Sequence, residues 1–140
     1  FQNSSAQEIR LIKKAIGQGN FDIALDLHED VDGKGFYLWE RKSPALNPIG
    51  KTVIKKITEK FPLEQKPEIE GLPNRHGVIS LHHQYTEDGW PRGYYLFKNG
   101  TKYCLTLETP VKMPFQARVE MHTLALKTSL KILYQGRYNT

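Results

Sequence analysis

The sequence predicts an α/β fold: part of a mixed, mostly parallel sheet flanked by helices. Three observations predict it. Apolar runs of strand length alternate along the chain with segments of helical spacing. The first run, from Phe21 to Leu27, is nearly continuous, as in strands buried on both faces. Acid and imidazole side chains follow two of the strands, where open α/β sheets gather their chemistry.

The chain has 140 residues, one domain's worth. Hydrophobic residues make up 39% and charged residues 25%, a mix that excludes collagen, low complexity and disorder. No apolar run approaches the roughly 18–20 residues that span a bilayer, so no membrane partner is expected. The opening Phe1-Gln2-Asn3-Ser4 shows no signal-peptide pattern. One cysteine, Cys104, allows no intrachain disulfide and no cysteine-based zinc site. These features together favour a cytoplasmic, reducing compartment. The net charge is +5, but the lysines are spread out and no arginine-rich block with interleaved aromatics occurs. No nucleic-acid partner is expected from charge alone.

The elements follow in order. Ser5-Ala6-Gln7-Glu8 reads as a capping box, and Ile9, Ile12 and Ile16 then give an apolar helical face. Gly17 and Gly19 stop that helix. The strand from Phe21 ends at Leu27, ahead of a polar cluster, His28-Glu29-Asp30, and it is expected at the centre of the sheet. Phe36 to Trp39 is a second strand. Asn47 at the cap and Pro48 at the first position open a helix through Val53, Ile54, Ile57 and Phe61, which Pro62 ends. The stretch from Pro62 to His76 carries Pro67 and Pro73 and reads as a long loop. Gly77 to Leu81 is a strand running into His82-His83. Around Tyr94 to Phe97 the pattern is ambiguous: Asn99-Gly100 suits a hairpin turn or a helix C-terminus. Lys102 to Thr109 is the last strand, closed by Pro110. Pro114 opens a long final helix with Val119, Leu126, Leu130 and Leu133 on one apolar face. Four strands are few for helices that want a larger sheet to cover.

Two strand ends are candidate sites. His28 follows the first strand, and histidine is the commonest metal ligand. Glu108 ends the last strand, where a partly desolvated carboxylate is a candidate general base with a raised pKa.

The segment Ala24-Leu25-Asp26-Leu27-His28-Glu29-Asp30 resembles the strand-and-ligand segment of the zinc carboxypeptidases of the M14 clan, whose succinylglutamate desuccinylase/aspartoacylase branch it also resembles. Asn99 to Pro110 is similar to the closing strand of that family, which ends in the catalytic glutamate. Phe1 followed by Ser5-Ala6-Gln7-Glu8 is similar to the stretch after the family's Asp-Leu-Asn-Arg motif. The resemblance covers the whole chain. It implies a three-layer carboxypeptidase-like fold, with residues 1–140 forming one α/β unit, the C-terminal part of a larger domain. It implies a zinc-dependent hydrolase that cleaves an amide next to a carboxylate, in a small peptide or an N-acyl amino acid. His28 would be a zinc ligand, Glu108 the general base, and Tyr85 the tyrosine that covers the substrate. Asp26, or a backbone carbonyl, would fix the tautomer of His28, Asp26 being the weaker candidate. The resemblance also decides for a short helix at Tyr94–Lys98.

The chain departs from the family where its first ligands should be. None of the five histidines has a glutamate three residues on, so the His-x-x-Glu pair is absent, as is the Asn-Arg pair for a substrate carboxylate. Both are expected upstream, in the missing N-terminal part of the domain. The alternative is a non-catalytic binding module on the same half-fold. His82 and His83 are a weak metal pair, since adjacent strand residues point to opposite faces. Salt bridging or capping is the default for Arg118 and His122, and Cys104 reads as an inert buried thiol.

Overall fold

The computed structural model describes residues 1, 3–17, 19–82 and 90–138, with side chains through residue 135. Its elements are α1 (Gln7–Ile16), β1 (Ile23–Asp30), β2 (Tyr37–Lys42), α2 (Gly50–Ile57), β3 (Glu68–Ile69), β4 (Leu72–Pro73), β5 (Val78–Ser80), α3 (Arg92–Lys98), β6 (Tyr103–Pro110) and α4 (Phe115–Tyr138). Four strands form one sheet in the order β1-β6-β2-β5. The β1–β6 and β2–β5 pairs are parallel and β2–β6 is antiparallel. The α/β class and the mixed, mostly parallel sheet are therefore as the alternating pattern predicts.

The strand at the centre is β6, not β1. Among the described residues β1 has a single neighbour and lies at an edge. Seven of the eight residues of β6 are buried, whereas none of β1 is, and Leu27 is 53% exposed. A continuous apolar run marks a strand that can be covered on both faces, and β1 has too few neighbours here to be covered. The strand also runs on through His28, Glu29 and Asp30, which the sequence reading left beyond its end.

Side chains alternate across the sheet. On one face Leu38, Leu105 and Leu107 meet Val53 and Ile57 of α2 and Met121 and Ala125 of α4, forming the main core. Each such buried aliphatic contributes about 1.5–3 kcal/mol. On the other face Arg41 lies against Tyr94 and Phe97 of α3. The three layers follow from this alternation.

Helix α4 turns a different stripe inward from the one predicted. Met121, Ala125 and Ser129 are buried and Leu133 packs on the core, while Val119, Leu126 and Leu130 are exposed. Apolar residues occur on both sides of this helix, so periodicity does not select the core face.

Two predicted caps are replaced. Helix α1 is capped at Ala6 without a side-chain hydrogen bond, not by the Ser5–Glu8 box. Helix α2 starts at Gly50, and the N–H groups of Ile49 and Gly50 donate to Oε1 of Glu40 on β2, at 2.7 and 3.0 Å. A carboxylate from a distant strand thus satisfies donors that Asn47 would otherwise take. The expected long loop after Pro62 contains a small hairpin, β3–β4, turned by Glu70 and Gly71, both with positive φ, as a two-residue primed turn requires.

The ambiguous segment is helical. Helix α3 ends with Gly100 at φ +100°; its N–H donates to Phe97 O and the N–H of Thr101 to Leu96 O. That pair of bonds is the Schellman ending, which uses glycine for its left-handed residue.

Candidate active site

His28 and Glu108 are brought together by the β1–β6 register. They are partners across the parallel pair, and Nδ1 of His28 lies 3.7 Å from Oε1 of Glu108. Their environments differ. The His28 side chain is 52% exposed and that of Glu108 only 11%. Burial, reinforced by the carboxylates of Asp30 and Glu70, pushes the Glu108 carboxyl up to about 7.

The antiparallel partner of Glu108 on the other side is Tyr37 of β2. Its hydroxyl donates to Oδ2 of Asp30 at 3.1 Å. Burial, with the Glu108 and Asp30 charges adding to it, holds the phenol well above its ordinary range, so it stays a hydrogen-bond donor. Asp30 is held further by the backbone N–H of Asp32, which donates to Oδ1 at 2.8 Å. Glu70, at the tip of the β3–β4 hairpin, adds negative field on Glu108. The arrangement is an exposed imidazole beside a buried acid, backed by a phenol and two further carboxylates. It can accept and deliver a proton at a surface where a ligand can reach the imidazole.

Asp30, Tyr37 and Glu70 were not singled out in the sequence. The Tyr37 contact depends on the β2–β6 register, and the Glu70 field on a hairpin too short to carry a strand pattern. Asp30 belongs to the polar cluster after the first strand, where nothing in the sequence distinguishes it from Glu29.

The other candidates separate. Asp26 lies two residues from His28 on the same face of β1, but its carboxylate is paired with Arg92 of α3 and does not orient the imidazole. Arg118 is paired with Glu29 and donates from Nε to Met113 O, in line with the salt-bridging default. His122 Nε2 lies 3.3 Å from the Thr109 hydroxyl, and burial lowers the imidazole pKa. Cys104 is buried, and that burial pushes its thiol up to about 12. His82 lies at the far end of the sheet, beside Ser80 of β5 and away from Glu108. Tyr85 and His83 lie outside the described residues.

One imidazole beside one carboxylate falls short of the three protein ligands of a catalytic zinc. Among the described residues no group of three histidine, cysteine, aspartate or glutamate side chains is placed to hold a metal ion. His28 fits as a single ligand, exposed near a strand end, and the described residues do not complete the set.

No family model matches the chain, and no curated protein does. Solved structures do. A "putative metallopeptidase" from Shewanella amazonensis superposes with a TM-score of 0.74 at 23% identity, over 93% of this chain and 48% of that one. One from Shewanella denitrificans gives 0.74 at 22% identity, over 91% and 48%. One from Shewanella baltica gives 0.67 at 21% identity, over 88% and 44%. The chain shares the α/β fold of these structures. It spans about half the length of the structures it matches. In that fold His28 and Glu108 lie toward the carboxyl ends of two adjacent parallel strands, the end at which α/β sheets collect their ligands.

Proposed function

We propose that the chain carries part of the active site of a zinc-dependent hydrolase of the carboxypeptidase or N-acyl amino acid deacylase type. The observation that carries this reading is the juxtaposition of His28 and Glu108 at one end of a metallopeptidase-like sheet, 3.7 Å apart. The substrate is a small peptide or N-acyl amino acid with a carboxylate next to the scissile amide, met in the cytoplasm. No described helix is long and apolar enough to cross a membrane.

In this reading residues 1–140 are the C-terminal part of a larger domain. The remaining metal ligands and the Asn-Arg pair for the substrate carboxylate come from its other part. The length relation to the matching structures supports this, as does β1, an edge strand whose Leu27 is bare. Zinc, when bound, polarises the scissile carbonyl and lowers the pKa of water. His28 contributes one imidazole to holding it. Glu108 takes a proton from the attacking water and passes it to the leaving amine, the step for which a half-enclosed carboxylate is suited. Tyr37 and Asp30 hold the polar wall behind Glu108 through their hydrogen bond.

The test uses two variants of the complete protein. Glu108→Gln is nearly isosteric, so it keeps the metal and loses about 10²–10⁴ in turnover of an acyl-amino-acid or C-terminal peptide substrate. His28→Ala loses the metal itself. Normal turnover by Glu108→Gln with zinc bound would overturn the mechanism, and full zinc occupancy in His28→Ala would remove the ligand assignment.

A further inference from the structure

Helices α2 and α4 pack side by side over the main core, and between them they leave a groove of about 440 Å³. On the α4 side Leu124, Thr128 and Ile132 follow one another at a spacing of four, so they share one helical face. All three are half-buried. Leu124 and Ile132 rest partly on the core and leave the remainder of their side chains open to the groove. The Thr128 hydroxyl is turned back onto Leu124 O, to which it donates at 2.8 Å. The floor is therefore apolar.

The rims are lysine. Lys55 and Lys56 of α2 stand on one side, Lys127 and Lys131 of α4 on the other, and all four are exposed. Glu59 is the one acid among the described lining residues, and it is paired with Lys56 at 2.5 Å. Lys55, Lys127 and Lys131 have no ion-pair partner among the described residues. Nearby Glu120 is taken by Lys60, at 2.6 Å, and neither lines the groove. From Leu124 to Ile132 the floor runs about 12 Å at the usual helical rise, two turns. None of these residues belongs to the His28–Glu108 site.

We infer that this groove receives an amphipathic helix of an acidic partner protein, its apolar face on Leu124 and Ile132 and its carboxylates toward Lys55, Lys127 and Lys131. Helix-in-groove recognition needs an apolar floor long enough for anchors three and four residues apart, and a floor of two turns takes two or three of them. The lysine rims select the charge of the helix. An anionic bilayer meets apolar side chains that protrude, whereas these are recessed between two helices. A nucleic acid calls for aromatic stacking, and no described residue of the groove is aromatic. A second copy of this chain brings a net charge of +5 to a basic surface, and its residues 136–140 carry no acid.

The test is titration of the full 140-residue chain into a fluorescein-labelled helical peptide of about four turns, with leucines three and four apart on one face and glutamates beside them, read by anisotropy. Saturable binding with Kd below about 100 μM is expected, weakening as salt is raised. The same peptide with its leucines replaced by glutamine keeps the charge and should bind at least about tenfold more weakly. Lys127→Glu with Lys131→Glu changes only exposed side chains, so its circular dichroism should match that of the parent. This variant should raise Kd about tenfold or more, and should bind instead the peptide in which lysine replaces glutamate. Absence of saturation at about 1 mM peptide would overturn the inference. So would a Kd unmoved by the double variant, or equal binding of the glutamine peptide. Tighter binding to phosphatidylserine vesicles or to a uridine oligonucleotide than to the peptide would overturn it as well, and a dimer of the chain that the double variant dissolves would give the groove to a second copy instead.

Discussion

Nδ1 of His28 lies 3.7 Å from Oε1 of Glu108 across the parallel β1–β6 pair, with the imidazole in solvent and the carboxylate beneath it. The same burial that makes Glu108 useful has a cost in stability, and the cost depends on pH. The carboxyl rises from 4.5 to about 7 on folding. Between those values the folded chain keeps a proton that the unfolded chain has released. Stability is therefore highest below pH 4.5 as far as this group is concerned, falls as pH rises to 7, and is flat above. The full loss is about 3 kcal/mol. Thermal melts of the metal-free chain and of Glu108→Gln should diverge between pH 5 and 7, with the glutamine variant the more stable at pH 8. Parallel profiles would show that the carboxyl titrates normally.

Zinc alone should bind the 140-residue chain weakly. A single imidazole next to a carboxylate supplies too few donors to replace water around the ion. Calorimetry should give a Kd weaker than about 1 μM. Sub-micromolar binding would mean that a different set of ligands assembles within the chain.

Cys104 should be silent toward alkylation. Its thiol is buried inside β6 and pushed up to about 12, so almost none is thiolate at pH 8. Iodoacetamide should label the native chain at least about a hundredfold more slowly than the chain in denaturant. Equal rates would place the thiol at the surface.

Gly35→Ala should be strongly destabilising. A Cβ at this position would overlap the backbone carbonyl of Leu63, where the chain before β2 passes the segment after α2. Neither strand of backbone can give way cheaply, because Phe36 N–H donates to Pro62 O and Glu64 N–H to Phe36 O. The expected loss is about 1–3 kcal/mol or more, read as a fall in melting temperature.

The sequence made legible what is local. The runs around Leu25 and Leu107 identify β1 and β6, and Asn99-Gly100 marks a helix end once the segment is known to be helical. The pairing of His28 with Glu108 was readable because both follow apolar runs of a parallel pair. What failed depends on distant partners. The cap of α2 comes from Glu40, ten residues before the first residue of the helix and in another layer. Tyr37 joins the site only through the β2–β6 register. The inward face of α4 is chosen by α2 and the sheet, since Leu126 and Ala125 are neighbours in sequence and only Ala125 is buried.

Strand β1 has a consequence for handling the molecule. Along its outer side the described structure offers backbone donors and acceptors with no partner strand, next to exposed Leu27 and Val31. Such an edge is a template that any extended segment can extend by hydrogen bonding. Asp26 and Glu29 on this strand are paired with Arg92 and Arg118, so little unpaired charge guards the edge against a second copy of the same strand. Self-association of the isolated chain should therefore increase with its concentration, and an added extended segment that pairs with β1 should suppress it.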